Sequence, residues 1–169
     1  MSEHTATIAW ERRGATFVDN RYSRAHRWEF DGGAIVPASA SPHSVSPQFA
    51  DAAAVDPEEA FVAALSSCHM LWFLFIAATR GHVVDSYRDE AVGTMAKGAN
   101  GKVVITEVTL RPHTVFTSAV SADVVNAMHE EAHAECFIAN SVKSELTTEA
   151  TFAVITPAAR LHSDVSSRA

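Results

Sequence analysis

The chain has 169 residues, with 13 Lys and Arg against 20 Asp and Glu and a formal net charge of −7. That length admits one domain with a real hydrophobic core and excludes a multidomain machine. The acidic balance leaves no basic surface for a nucleic-acid backbone or an anionic membrane, so neither is expected as a partner. Two cysteines are too few for a disulfide-stapled secreted scaffold.

The first twenty residues carry several charges and no apolar run of the kind a secretory signal needs, which makes the cytoplasm the expected location. Residues His4–Trp10 and Arg21–Phe30 have strand character, and in the second Tyr22, Arg24, His26, Trp28 and Phe30 share one face at period two. Asp31-Gly32-Gly33 then predicts a hairpin turn into a strand over Ala34–Ala40. Ser41–Val55, with three Ser and two Pro, reads as a loop.

Asp56-Pro57-Glu58-Glu59 combines an N-cap Asp, Pro at the first helical position and Glu at the third, so a helix is predicted from Pro57. It should end near Arg80, where Gly81 can take the left-handed position. Within it, Ala60–Thr79 is a run of 20 uncharged residues, long enough to be weighed as a membrane span. Ser66, Ser67, Cys68 and His69 fall at its middle, and a helix buried at the centre of the fold is the better reading. Val83–Ala96 and Lys102–Phe116 are then expected as antiparallel strands joined at Gly98–Gly101. Ser121 caps a second helix to about Glu135, with Val124, Val125, Met128 and Ala132 facing inward. A helical turn over Cys136–Val142 leads to a last strand, Glu145–Ile155. The order predicts an α+β chain, an antiparallel sheet wrapped on a long buried helix, with one domain over 1–157 and a polar tail over 158–169.

Cys68 and Cys136 can be read as two separately buried small hydrophobes or as a redox pair. The local sequence resembles a known signature. The run Asp56-Pro57-Glu58-Glu59-Ala60-Phe61-Val62-Ala63-Ala64-Leu65-Ser66-Ser67-Cys68 is similar to the Asn-Pro-Glu…Ala-Ala…Cys segment of the OsmC/Ohr family, the osmotically inducible and organic hydroperoxide resistance proteins. The segment from Cys136 to Glu145-Leu146 resembles that family's Cys-Pro-Val-Ser…Lys-Ala-Glu-Ile, with Phe137 in place of the Pro. The resemblance implies a thiol peroxidase of organic hydroperoxides and an intertwined homodimer. It implies Cys68 as the peroxidatic thiol and Cys136 as the one that resolves its sulfenic acid into a disulfide, with an external thiol or lipoylated protein as reductant and no bound cofactor. It also implies an Arg–Glu pair beside the thiol. Glu58 matches the Glu, and Arg24 is preferred for the Arg over Arg27, Arg12 and Arg13 because it lies on the period-two face of its strand. An apolar ligand-binding protein with the same fold and idle cysteines is the alternative.

Ten residues of helix separate Glu58 from Cys68, about 15 Å along the axis, too far for one site in one chain. Composite sites across a dimer are therefore expected, with Glu58 of one copy holding the guanidinium near Cys68 of the other. Most of Met70–Phe75 is read as core, with one or two residues free to line an apolar channel, and His69 as an interior histidine. His129-Glu130-Glu131-Ala132-His133 also matches H-E-x-x-H formally. No extended third-ligand pattern follows it, so a zinc site at His129 and His133 is a remote alternative and no metal is expected.

Overall fold

The computed structural model describes residues 1–155, and the tail expected over 158–169 lies outside them. The elements are β1 (Ala6–Ala9), β2 (His26–Phe30), β3 (Ile35–Ala38), α1 (Pro57–Thr79), β4 (Val84–Asp89), β5 (Val92–Lys97), β6 (Val103–Leu110), β7 (Pro112–Phe116), α2 (Ala122–Glu135), β8 (Glu145–Thr148) and β9 (Thr151–Val154). The architecture is mixed α+β, as the sequence predicts.

Helix α1 begins and ends where its caps dictate. The Asp56 carboxylate accepts the Glu59 N–H at 2.8 Å and the Glu59 carboxylate accepts the Asp56 N–H at 3.1 Å, so two otherwise orphaned donors are satisfied reciprocally. At the other end Gly81 has φ +77°, while the His82 N–H reaches the Ala77 carbonyl at 2.9 Å and the Gly81 N–H reaches Ala78 at 3.0 Å. This is a Schellman closure, which stops the helix while satisfying its last carbonyls.

The chain packs as two compact units, the first comprising Met1–Leu65 with Val92–Val108. Strands β1, β2 and β3 form an antiparallel meander in which Ala6 faces Phe30 and His26 faces Ala38. Gly33, at φ +84°, makes the predicted turn between β2 and β3. Residues 21–25 differ from the expected strand. They precede β2 as a loop whose Arg24 N–H bonds to the Phe49 carbonyl at 2.8 Å, so the period-two face begins only at His26. The first turns of α1 rest on β5 at Gly93, where a Cβ would lie 2.6 Å from the Val62 side chain. That close approach needs a glycine.

The second unit comprises Ser66–Ala91 and the chain from Thr109 onward. Here β4 pairs antiparallel with β7, and β9 pairs parallel with β7, which makes the expected antiparallel sheet a mixed one. Phe73, Ile76 and Ala77 of α1, Phe116 of β7, and Val125, Met128 and Ala132 of α2 form the core. Burying each of the larger side chains contributes about 1.5–3 kcal/mol before conformational entropy is counted.

Three runs read as single strands are each broken in two, at Glu90-Ala91, at Arg111 and at Glu149-Ala150. The breaks at Arg111 and Glu149 are tied to the end of β4. The Arg111 N–H donates to the Asp89 carboxylate at 2.6 Å, its guanidinium donates to Glu149 at 2.8 Å, and the Glu149 N–H donates to the Leu110 carbonyl at 2.8 Å. Pro112 removes a ladder donor and steers Arg111 away from helical backbone, which favours a bend there.

Helix α1 has the length and mean hydropathy, 1.9, to cross a bilayer. Its polar residues are instead engaged in protein: Ser66 donates to Asp89 at 2.5 Å and His69 bonds to His129. The helix is not buried all round in a single chain. Leu71 and Phe75 are each 61% exposed, on the same face as Cys68.

Replacing Gly93 by Ala is expected to cost about 1–3 kcal/mol in urea unfolding, because the new methyl overlaps Val62. The same replacement in a Val62→Ala background should cost much less; equal costs in both backgrounds would place the strain elsewhere.

Candidate active site

Cys68 sits near the middle of α1 and is half-buried; Cys136 is the C-terminal cap of α2 and is fully buried. The turn after α2 fixes the second thiol. The Asn140 side-chain amide donates to the Ala134 carbonyl at 2.8 Å and to the Cys136 carbonyl at 2.9 Å, and the Ala139 N–H points at Cys136 Sγ, 3.4 Å away. This places Cys136 beside Cys68, near enough for the two thiols to influence each other. Burial, followed by the neighbouring Cys68, pushes the Cys136 thiol up to about 11, so it holds its proton at neutral pH. Cys136 is therefore the protonated member of the pair at neutral pH.

Aromatic rings border the thiols. Trp72 lies one helical turn beyond Cys68, and its ring meets Phe137 edge-on at 5.5 Å and Phe75 edge-on at 5.8 Å. Phe137, which follows Cys136 directly, is 69% exposed. Cys68, Leu71, Trp72 and Phe75 thus make an apolar stripe on α1 with the Cys68 sulfur at one end.

Behind the thiols lies a pair of buried imidazoles. His69 Nε2 and His129 Nδ1 are 2.9 Å apart with the rings 4° from coplanar, and Phe73 stacks on His129 at 4.1 Å. Among the described residues, neither His69 Nδ1 nor His129 Nε2 has a hydrogen-bond partner. Burial lowers His69 to about 4, with the nearby His133 acting in the same sense and Asp89 opposing; burial and then His69 lower His129 to about 3. Both rings are neutral at pH 7.

Of the residues singled out in the sequence, Cys68, Cys136 and His69 lie in the second unit, and Arg24 and Glu58 lie in the first. The Arg24 guanidinium stacks 3.7 Å over the Tyr22 ring and donates to the Asn20 and Tyr22 carbonyls. Arg27 pairs with Glu29, and Arg12 bonds to the Ala15 carbonyl at 3.0 Å. Arg13 is 4.0 Å from Glu11. Glu58 is half-buried and, among the described residues, nothing hydrogen-bonds or ion-pairs with it. Of the H-E-x-x-H residues, His129 is buried against His69, His133 is exposed, and Glu131 pairs with Arg80. Among the described residues no three His, Cys, Asp or Glu side chains are grouped to hold a metal ion.

Sequence reasoning passed over His129 as a core residue. It falls on the same stripe as Val125, Met128, Ala132 and Cys136, which is the signal that could have found it.

The OsmC-like protein family model matches residues 50–151, and the chain belongs to that family. It is 55% identical to an OsmC-like protein of unknown function from Vibrio cholerae, with a TM-score of 0.87 over 89% of this chain and 100% of that one. Two hydroperoxide resistance proteins share the fold at low identity. The one from Legionella pneumophila is 14% identical, with a TM-score of 0.61 over 91% of this chain and 98% of that one. The one from Bacillus subtilis is 19% identical, with a TM-score of 0.59 over 88% and 98%. No curated protein matches the chain.

The neutral histidine pair makes stability depend on pH with a definite sign. The unfolded chain protonates both histidines near 6.5 and the folded one does so only near 4 and 3, so stability is level above pH 6.5 and falls as pH drops below it. The loss between pH 7 and 5 should be on the order of 2–4 kcal/mol. Urea midpoints across that range measure it, and the double variant His69→Gln/His129→Asn should give a flatter profile.

Proposed function

We propose that this protein is a cysteine peroxidase that reduces organic hydroperoxides with a Cys68/Cys136 dithiol and no metal or flavin. The observation that supports the reading is the proximity of the two thiols, of which Cys136 keeps its proton. The Cys68 thiolate attacks the distal, hydroxyl oxygen of the hydroperoxide; the O–O bond breaks, Cys68 becomes a sulfenic acid, and the departing alkoxide takes a proton from water to leave as the alcohol. Cys136 then loses its proton and attacks the Cys68 sulfur, forming the disulfide and releasing water. An external dithiol, a small thiol or a lipoylated protein, returns two electrons and two protons. The apolar stripe through Leu71, Trp72 and Phe75 suits an alkyl or aryl peroxide better than hydrogen peroxide.

The working unit is a homodimer in the cytoplasm. Its support is the uncovered face of α1, together with Val92, Met95, Val103 and Val104 exposed on the β5–β6 hairpin. Glu58, a half-buried carboxylate without a partner among the described residues, serves the Cys68 site of the second copy and anchors the activating guanidinium, assigned to Arg24. To do so Arg24 exchanges its contacts with Tyr22 and Asn20 for the carboxylate.

Stoichiometric cumene hydroperoxide should lower the intact mass by about two units as the disulfide forms. Cys68→Ser abolishes the change, whereas Cys136→Ser leaves a product heavier by about 16 or 32 units as Cys68 oxidises without resolution. A dithiol that stays unchanged with excess peroxide sinks the peroxidase reading in favour of apolar ligand binding. For the dimer, Phe75→Arg or Leu71→Arg should shift the sedimenting species from two chains to one; a wild-type chain that sediments as a monomer at micromolar concentration overturns it.

A further inference from the structure

The buried His69–His129 bond is poorly explained by stability alone. Both rings are enclosed, His69 at 0% exposure and His129 at 4%. In a neutral pair one ring donates and the other accepts. Whichever tautomer is present, one N–H and one bare nitrogen are left in the core without a partner among the described residues. Each such group carries a desolvation penalty that an apolar side chain packed against Phe73 would not carry. What the imidazoles add is direction. Apolar attraction is non-directional, whereas an in-plane N–H···N bond of 2.9 Å fixes the position of one helix along the other.

The positions of the two rings say what is being fixed. His69 follows Cys68 directly on α1, and His129 stands seven residues, about two turns, before Cys136 on α2. The elements that carry the thiols therefore meet at two points, at the imidazoles and at the thiols. We propose that His69 and His129 are positioning residues whose mutual hydrogen bond sets the register of α1 against α2 and so holds Cys68 within reach of Cys136. This rests on the dithiol reading above, and it identifies what keeps the second thiol in place beside the first. His69 fixes α1, and Phe73, stacked on His129, fixes the ring on α2. The bond's effect appears as a high effective concentration of one thiol at the other, because a disulfide forms in proportion to how often the two sulfurs meet.

The test is the thiol–disulfide equilibrium of the purified protein with oxidised and reduced dithiothreitol, read by intact mass. In that exchange Cys68 and Cys136 lose two electrons and two protons to the reagent disulfide, which becomes a dithiol. No peroxide is used, so a failure here is separable from a failure of peroxidase chemistry. Gln at position 69 keeps a hydrogen-bonding atom where Nε2 stands, and Asn does not. The equilibrium constant for the Cys68–Cys136 disulfide should fall at least ten-fold in His69→Asn and stay within about three-fold of wild type in His69→Gln. At position 129 the order reverses, since Asn keeps an atom at the Nδ1 position and Gln moves it. Thermal midpoints are measured alongside, and a merely structural role would lower them in step for both replacements without separating the redox constants. Equal redox constants for Asn and Gln at position 69 overturn the proposal. If His69→Asn does not fold, the comparison at position 129 decides by the same criterion.

Discussion

The contact between α1 and α2 is the constraint on which the chemistry of the second unit depends. Its apolar part, Phe73, Ile76 and Ala77 against Val125, Met128 and Ala132, supplies most of the burial. Such attraction is non-directional and holds the two helices close. The polar part is small and specific: two imidazoles bonded edge to edge, and two neighbouring thiols beyond them. A shift of one helix by a single residue, about 1.5 Å, would disturb both together.

Around this junction the backbone is bent. Strand β4 ends at Asp89, whose carboxylate takes both the Ser66 hydroxyl of α1 and the N–H of Arg111, and the Arg111 guanidinium then reaches Glu149. One carboxylate thus links the helix that bears Cys68 to the bend between β6 and β7. The side chain sits two residues after Tyr87, which packs on Phe73. Helix and sheet therefore hold the cysteine-bearing turn of α1 from two sides, by hydrogen bonds at Ser66 and His69 and by aromatic packing at Phe73. The opposite face, with Leu71 and Phe75, is left uncovered in the single chain. Helix α1 is apolar nearly all round, and only part of that surface finds a covering within its own chain.

The helix termini were legible because capping is local. Asp56, Pro57 and Glu59 determine the start of α1 through bonds spanning three residues, and Gly81 determines its end through one positive φ. The two cysteines and the family signature could likewise be read, since residue types and their spacing survive without coordinates. The strand breaks were harder. Hydrophobic alternation continues across Glu90-Ala91 and Arg111, and the bend depends on the distant Asp89 and Glu149 carboxylates; Pro112 was the one local sign of it. Arg24 was placed on a strand face by alternation, but its cation–π contact with Tyr22 and its two carbonyl acceptors keep residues 21–25 outside β2.

By itself the sequence determined where α1 starts and stops, the mixed α+β class, and the two thiols that could carry a redox cycle, because each rests on interactions within a few residues or on composition. Only the tertiary structure decided which side chains share a site. It brought Cys136 to Cys68 and His129 to His69, and it sent Arg24 to Tyr22. It also buried His129 and left His133 exposed. The physical reason is that helical spacing fixes which face a residue occupies, whereas the partner on that face is chosen by helix register, set 60 residues away in the chain.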